Sequence, residues 1–402
     1  MQGVARHSYP GHHLRTSESR FSAPDGGSRT GVSRGMRLLT YALPAVAQQL
    51  SWESRVSMVR MPGISATCRV GWAMLLVGTF LLLVAEAHQA AARRSYPPPT
   101  YQPPPGYAVR TAKDLVLRDN ARSKDLAFNV LHPDGTGPFP VIIFSHGAGA
   151  SRDNYLNLTS YWASHGYIVI QPSHADSIAL RRAQGKPAGW GEALHEALAD
   201  PNAWQNRPQD ISFLIDSLAQ IQRMVPQLEQ RMNMRSIGVG GHSFGAYTSE
   251  AIAGALVQLK KDSPPVSLAD RRVTAVIAMS PEGPGQIGFV DNSWNDQYLP
   301  IMTMTGTRDY AGLAKGPSWR KIPFDRSPAG DKYHLLIAGG NHFSFVGGGG
   351  DEGEKGTIFS YVQASSLAFW DAYLKHNSKA LAYLQSDSLS GSSDGLVTLY
   401  RK

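Results

Sequence analysis

The pentapeptide Gly241-His-Ser-Phe-Gly245 sets a serine between two glycines. A short apolar run, Ser236–Gly240, precedes it, and a helix-compatible run, Ala246–Leu256, follows. This is the pattern of a nucleophile elbow, a sharp strand-to-helix turn with Ser243 at its tip. Glycines at 241 and 245 let the backbone pass close to itself and leave the hydroxyl unshielded. The helix behind it points N–H groups at the site, which suits a developing negative charge. A serine hydroxyl is a weak nucleophile at neutral pH. It needs a base within hydrogen-bond reach and an acid to orient that base.

Both partners are available further along the chain, each just after a predicted strand. The acid candidate is Asp309, in Thr305-Gly-Thr-Arg-Asp-Tyr310. Glu282, in Ser280-Pro-Glu-Gly283, is the rival acid, one strand earlier. The base candidate is His342, in the glycine-bracketed Ala338-Gly-Gly-Asn-His-Phe343. His242 sits inside the elbow and is expected to point away from the reacting serine. His174 and His334 read as structural, and His195 falls in a predicted helix without an acid. An oxyanion needs two backbone N–H donors. Phe244, directly after the serine, supplies one, and Ala148 in the loop Ser145-His-Gly-Ala-Gly149 supplies the other. His146 is expected to prop that loop. Tyr155, Trp190, Trp204 and Phe343 are candidates for the substrate pocket. Packing of the two tryptophans under a long loop is an equally good reading.

These residues need a scaffold. Lys113–Arg118 and Asp125–Leu131 read as an opening hairpin. Pro140–Phe144 and Tyr167–Ile170 are continuous apolar runs, as in strands buried on both faces. Val273–Met279, Pro300–Thr305 and Tyr333–Ala338 are further strands. Asn154–His165, Gln209–Leu228 and an amphipathic Phe359–His376 read as helices, and Ser173–Arg207 as a loop. The fold class is α/β, a mostly parallel central sheet with helices on both faces. Parallel sheets of this kind carry their chemistry at the carboxyl ends of the strands, where the candidates fall.

The chain has 402 residues and a formal charge of +8. The first 87 residues hold nine arginines, no lysine and four acidic residues, so the remainder carries only +3. No basic stripe with interleaved aromatics points to nucleic acid. Cys68 is the single cysteine, which excludes an intramolecular disulfide and a Cys-based metal site. No His/Asp/Glu cluster has metal-ligand spacing. Gly347–Gly350 lacks the Lys-Ser/Thr of a phosphate-binding loop. Asn157-Leu-Thr159 is a glycosylation sequon in a predicted helix.

Residues 1–60 read as disordered. Residues 61–87 read as a secretory signal peptide: Arg69, an apolar run Val70–Ala85, and Ala85-Glu86-Ala87 as the cleavage site. The run is shorter than the ~20 residues of a membrane span, and an uncleaved anchor over residues 70–85 is the alternative. A signal peptide stands at a true N-terminus, so translation is expected to start at Met61, with Met58 as second choice. Residues 88–106 read as a Pro-rich spacer, and 107–402 as one catalytic domain.

Taken in order, Phe144-Ser-His-Gly-Ala-Gly149, Ser164-His-Gly-Tyr-Ile-Val-Ile-Gln-Pro172, Arg207-Pro-Gln-Asp-Ile211 and Gly241-His-Ser-Phe-Gly245 resemble a branch of the α/β-hydrolases. That branch includes the platelet-activating-factor acetylhydrolases and dienelactone-hydrolase-like esterases. Met304-Thr-Gly-Thr-Arg-Asp309 and Gly339-Gly-Asn-His342 resemble its acid and histidine blocks. The resemblance spans about 110–376. It implies a serine esterase with Ser243 as nucleophile, His342 as base and no cofactor. In the acetylhydrolases proper the acid follows the strand after the elbow. Here that place reads Ser280-Pro-Glu282, so the chain looks closer to the bacterial esterase-like members. The expectation is a secreted or periplasmic carboxylic-ester hydrolase acting on a small-molecule or lipid-like ester. The competing readings are a non-catalytic binding protein of the same fold and an acyltransferase using the same acyl-enzyme. Membrane association is expected only if the signal segment stays uncleaved, and no residue pattern speaks to an oligomeric state.

Overall fold

The computed structural model describes residues 96–186, 189–310, 315–347 and 354–402. The expectations for residues 1–95 and for the glycines after Gly347 lie outside the described residues. A hairpin of β1 (Val109–Asp119) and β2 (Lys124–Pro133) opens the domain, followed by β3 (Phe139–Ser145), α1 (Leu156–Ser164) and β4 (Ile168–Ser173). Next come α2 (Ile178–Ala183), α3 (Trp190–Ala199), α4 (Pro201–Asp216) and α5 (Leu218–Met224). Then β5 (Met232–His242) enters the elbow and α6 (Phe244–Ile252) leaves it. A small pair, β6 (Leu256–Val257) and β7 (Val266–Ser267), precedes β8 (Val273–Met279), β9 (Ile301–Arg308), α7 (Pro317–Arg320), α8 (Ile322–Arg326) and β10 (Lys332–Asn341). The chain ends with α9 (Glu354–Leu374), α10 (Ser378–Gln385), α11 (Ser388–Gly391) and β11 (Val397–Arg401).

The main sheet has nine strands in the order β1-β2-β4-β3-β5-β8-β9-β10-β11. From β4 to β10 neighbouring strands are parallel, while β1, β2 and β11 pair antiparallel at the edges. The central strands are mostly apolar and are buried along most of their length, because both faces are covered. Successive side chains point to opposite faces. Ile142, Phe144, Ile277, Met279 and Met302 therefore pack with Trp162 of α1 and Tyr361, Phe369 and Trp370 of α9. Val141, Ile143, Val239, Val276 and Ile301 pack with Ile211, Leu214 and Ile215 of α4 and Ile252 of α6.

Several expectations need correction. Ser173–Arg207 is largely helical, not a loop: it holds α2, α3 and the start of α4. The start of α4 had a local signal, since Asp200 caps it by accepting from the Asn202 N–H at 2.9 Å and Pro201 follows as the first helical residue. The helix expected over 209–228 begins earlier and breaks at Ser217. The helix expected over 359–376 runs Glu354–Leu374 and is not amphipathic: nearly every turn is buried, in a core shared with Leu384 of α10 and Leu389 of α11. The Pro-rich segment is not a free spacer where it is described. Tyr101 donates to Asp371 of α9 at 2.8 Å, Tyr361 donates to the Pro97 carbonyl at 3.1 Å, and the Pro103 carbonyl meets His165 Nε2 at 2.9 Å. Folded structure thus begins before Tyr107.

Candidate active site

Ser243 sits between β5 and α6 with φ 56° and ψ −121°. A side chain in this region costs about 1–3 kcal/mol of backbone strain. The surroundings enforce it. A Cβ on Gly241 would lie 2.1 Å from the Gly245 carbonyl oxygen, and one on Gly245 would lie 1.9 Å from the Ser145 carbonyl oxygen. The Ser243 N–H donates to the Met279 carbonyl at 2.9 Å, which ties the tip to the end of β8.

Asp309 and His342 come from the ends of β9 and β10, which pair in parallel. The ends close tightly: a Cβ on Gly306 would lie 2.1 Å from the Gly340 carbonyl oxygen. His342 Nδ1 is 3.0 Å from Asp309 Oδ1. A carboxylate can only accept, so Nδ1 carries the proton and Nε2 is the basic nitrogen. The Asp309 carboxylate is fully buried and well held. Ser280 Oγ donates to its Oδ2 at 2.5 Å, Thr305 Oγ1 to the same oxygen at 3.0 Å, and Arg320 Nε lies 3.1 Å from Oδ1. Burial acts to raise its pKa, but His342, Arg320 and Ser280 outweigh this and hold it below the usual carboxylate value. Glu282 lies 3.4 Å from Arg320 Nη1, and burial pushes its carboxyl up despite that cation. The structure therefore brings Asp309 to His342, while Glu282 sits against the arginine.

The candidate oxyanion loop, Ser145–Gly149, is held from behind. Arg207, 2% exposed, donates to the His146 carbonyl at 2.6 Å and pairs with Asp176 at 2.7 Å. Its guanidinium also lies 4.2 Å from the centre of the Phe244 ring. Asp176 accepts from the Gly149 N–H at 3.0 Å, and Tyr155 Oη accepts from the Gly147 N–H at 3.2 Å. That engages the N–H groups on either side of Ala148. Among the described residues, the Ala148 and Phe244 N–H groups have no protein acceptor. His146 does prop the loop: its Nε2 accepts from the His174 N–H at 3.0 Å. His174 in turn joins Ser145 Oγ at 2.9 Å and Asp210 at 2.8 Å. This second Ser-His-Asp arrangement is buried throughout, and burial lowers the His174 pKa to about 4.

His242 links the two halves of the site. Its Nε2–H donates to the His342 carbonyl at 2.8 Å, and its Nδ1 accepts from Tyr155 Oη at 2.8 Å. Burial, aided by the neighbouring His342, lowers its pKa to about 3, so it remains neutral. Local sequence carries no signal for this bridge, nor for Arg320 and Ser280, whose partners lie on other elements. Arg207 stood inside a motif but had no assigned role.

Ser243, Phe244, Ala148, Glu282 and His342 line one cavity of about 440 Å³. Tyr155, Trp190 and Phe343 line it too, whereas Trp204 does not. Trp204 instead donates its Nε1–H to the Ala197 carbonyl at 2.8 Å and packs beneath the site. Leu194, Ala197 and Leu198 of α3, together with Ile287 and Val346, also line it, and no local pattern marks them. The wall is mostly apolar. Among the described residues no group of three or more His, Cys, Asp or Glu side chains could hold a metal.

Comparison with known proteins agrees with this architecture. The family Platelet-activating factor acetylhydrolase, isoform II matches residues 119–189, from the end of β1 to just before α3. The chain has the α/β-hydrolase fold and resembles that family. It is also 27% identical over 131 residues to chlorophyllase-1, chloroplastic, of Citrus sinensis, a match covering 31% of each chain. Chlorophyllase type 0 of Chenopodium album is 26% identical over 133 residues, covering 33% of this chain and 34% of the relative. A 51-residue stretch is 41% identical to a Schizosaccharomyces pombe protein provisionally named phospholipase A2, covering 13% of this chain and 12% of that one. The matched stretches thus span about a third or less of these relatives.

Proposed function

We propose that the protein is a serine hydrolase of carboxylic esters. Ser243 attacks the ester carbonyl carbon while His342 Nε2 takes its proton. The Ala148 and Phe244 N–H groups hold the oxyanion, and Asp309 holds the imidazolium. The tetrahedral intermediate collapses to an acyl-enzyme as His342 returns the proton to the leaving alkoxide. Water, deprotonated by His342, then releases the acid and restores Ser243. No cofactor enters. One observation carries the reading: a strained serine, a His-Asp pair and two uncommitted backbone N–H groups all meet at one apolar cavity. Among the described residues the Ser243 hydroxyl makes no hydrogen bond, and such contacts tighten when substrate binds. The family likeness and the chlorophyllase and phospholipase names support an ester or lipid-like substrate. The apolar wall supports an acyl or alkyl group next to the scissile bond. Export belongs to the reading too, through the signal-like residues 61–87.

A fluorophosphonate probe tests the reading. The expected result is one labelled peptide, bearing the probe on Ser243, with labelling lost in His342→Ala. Labelling elsewhere, or none while ester hydrolysis persists, would overturn it. N-terminal sequencing of the exported protein, expected to begin at His88, checks the cleavage site.

A further inference from the structure

We infer that Ser280 is a positioning residue of the reaction, a fourth member that locks Asp309 and His342 together from the end of β8. The inference rests on the triad reading above and adds a residue to it. Ser280 follows Met279, where β8 ends beside the elbow. Its side chain is fully buried. The hydroxyl donates to Asp309 Oδ2 at 2.5 Å, and its oxygen lies 2.9 Å from His342 Nδ1. Asp309 Oδ1 lies 3.0 Å from the same nitrogen. The Nδ1–H is thus shared by a carboxylate oxygen and a hydroxyl oxygen, and the hydroxyl proton closes the ring on the other carboxylate oxygen.

Two strand ends therefore fix one imidazole. Asp309 alone gives the ring one hydrogen bond beside its packing on the His242 ring, 4.7 Å between centres. Ser280 supplies a second point, offset from the first, so the plane of the ring and the direction of Nε2 are both set. The backbone at Ser280 is held in turn. Its N–H donates to the Met304 carbonyl at 2.7 Å, and its carbonyl accepts from Arg320 Nη1 at 3.1 Å. Ser280 has φ 57°, a conformation that a side chain occupies only at a cost. A structural turn alone would favour glycine there. A serine in that strained place, with its hydroxyl on both groups, is explained by the hydroxyl.

The test compares Ser280→Ala and Ser280→Gly with wild type and Ser243→Ala, using neutral p-nitrophenyl esters. The glycine variant loses the hydroxyl but relieves the positive φ, so its fold is protected, and thermal unfolding checks this. A hydrogen bond to a charged group supports an expected kcat loss on the order of 10- to 100-fold in both variants, with KM within about twofold. A second arm moves the carboxylate. Asp309→Ala removes the acid, and Asp309→Ala/Ser280→Asp places one at the other strand end, where aspartate tolerates positive φ. The double variant is expected to regain at least about tenfold in kcat over Asp309→Ala. A folded Ser280→Gly protein with wild-type kcat would overturn the inference, as would a double variant no faster than Asp309→Ala. If instead Ser243→Ala keeps full activity, the triad reading itself has failed.

Discussion

The Asp309 carboxylate is the most heavily supported group in the site. It receives Ser280, Thr305 and Arg320 as well as His342. Its function in the account is to fix the imidazole tautomer. Asp309→Asn is therefore expected to lower kcat by about 10⁴, the scale seen when a triad acid is neutralised without a change of shape. Glu282→Gln is expected to lower it by less than about tenfold, because Glu282 reaches Arg320 and not His342, and Arg320 keeps its pairing with Asp309. Steady-state kinetics on one ester decides the comparison, and the reverse order would make Glu282 the acid. Three of the candidate residues carry local signatures: Ser243 its flanking glycines, Asp309 and His342 their place after apolar runs. Arg320, Ser280 and His242 act through partners on other elements, so no spacing marks them. Trp204 kept two readings for a related reason, and the packed one holds: an aromatic in a long segment reads the same whether it faces the cavity or packs beneath it.

At the scale of elements, the site depends on how β3, β5 and α4 hold the loop Ser145–Gly149. Arg207 of α4 is the anchor, paired with Asp176 and stacked on Phe244. Arg207→Met leaves the Asp176 carboxylate buried and unpaired. It should cost about 3–5 kcal/mol of stability, measured by urea unfolding, and lower kcat with it. An unchanged unfolding midpoint would show that the anchor is not needed. The helix α3 forms a wall of the cavity. Trp190, 62% exposed, and Leu194 lie one turn apart on it. Trp190→Ala and Leu194→Ala are expected to raise KM for decanoate esters by about tenfold and to leave acetate esters nearly unchanged, since only a long chain buries area there. Equal effects on both would place the acyl chain elsewhere. The sheet was legible because strands covered on both faces hold mostly apolar runs. The helices α2 and α3 were legible only around His195, because both are short and carry a surface aromatic and several charges. Propensity over so few residues is weak until packing against the cavity is added.

For the whole molecule, burial of histidines sets the response to acid. His174 and His242 have pKa values lowered to about 4 and 3 by burial, His334 to about 3, and His146 is lowered as well. These groups stay neutral in the fold and take a proton at their ordinary value once unfolded. Their stabilising contribution is present above about pH 6.5 and is lost as pH falls toward the folded values. Buried Glu250 and Glu282, raised by burial, act in the opposite sense, but the four histidines outnumber them. The melting temperature is expected to hold between pH 8 and 7 and to fall steadily below about pH 6.5. A midpoint constant down to pH 5 would contradict this balance. The whole account rests on Ser243 as the nucleophile of an ester hydrolase, and p-nitrophenyl ester hydrolysis from acetate to decanoate measures that most directly. Wild-type protein should turn over with a burst of p-nitrophenol, and folded Ser243→Ala should lose about 10⁶ in kcat. Turnover by Ser243→Ala at a rate near wild type would contradict it.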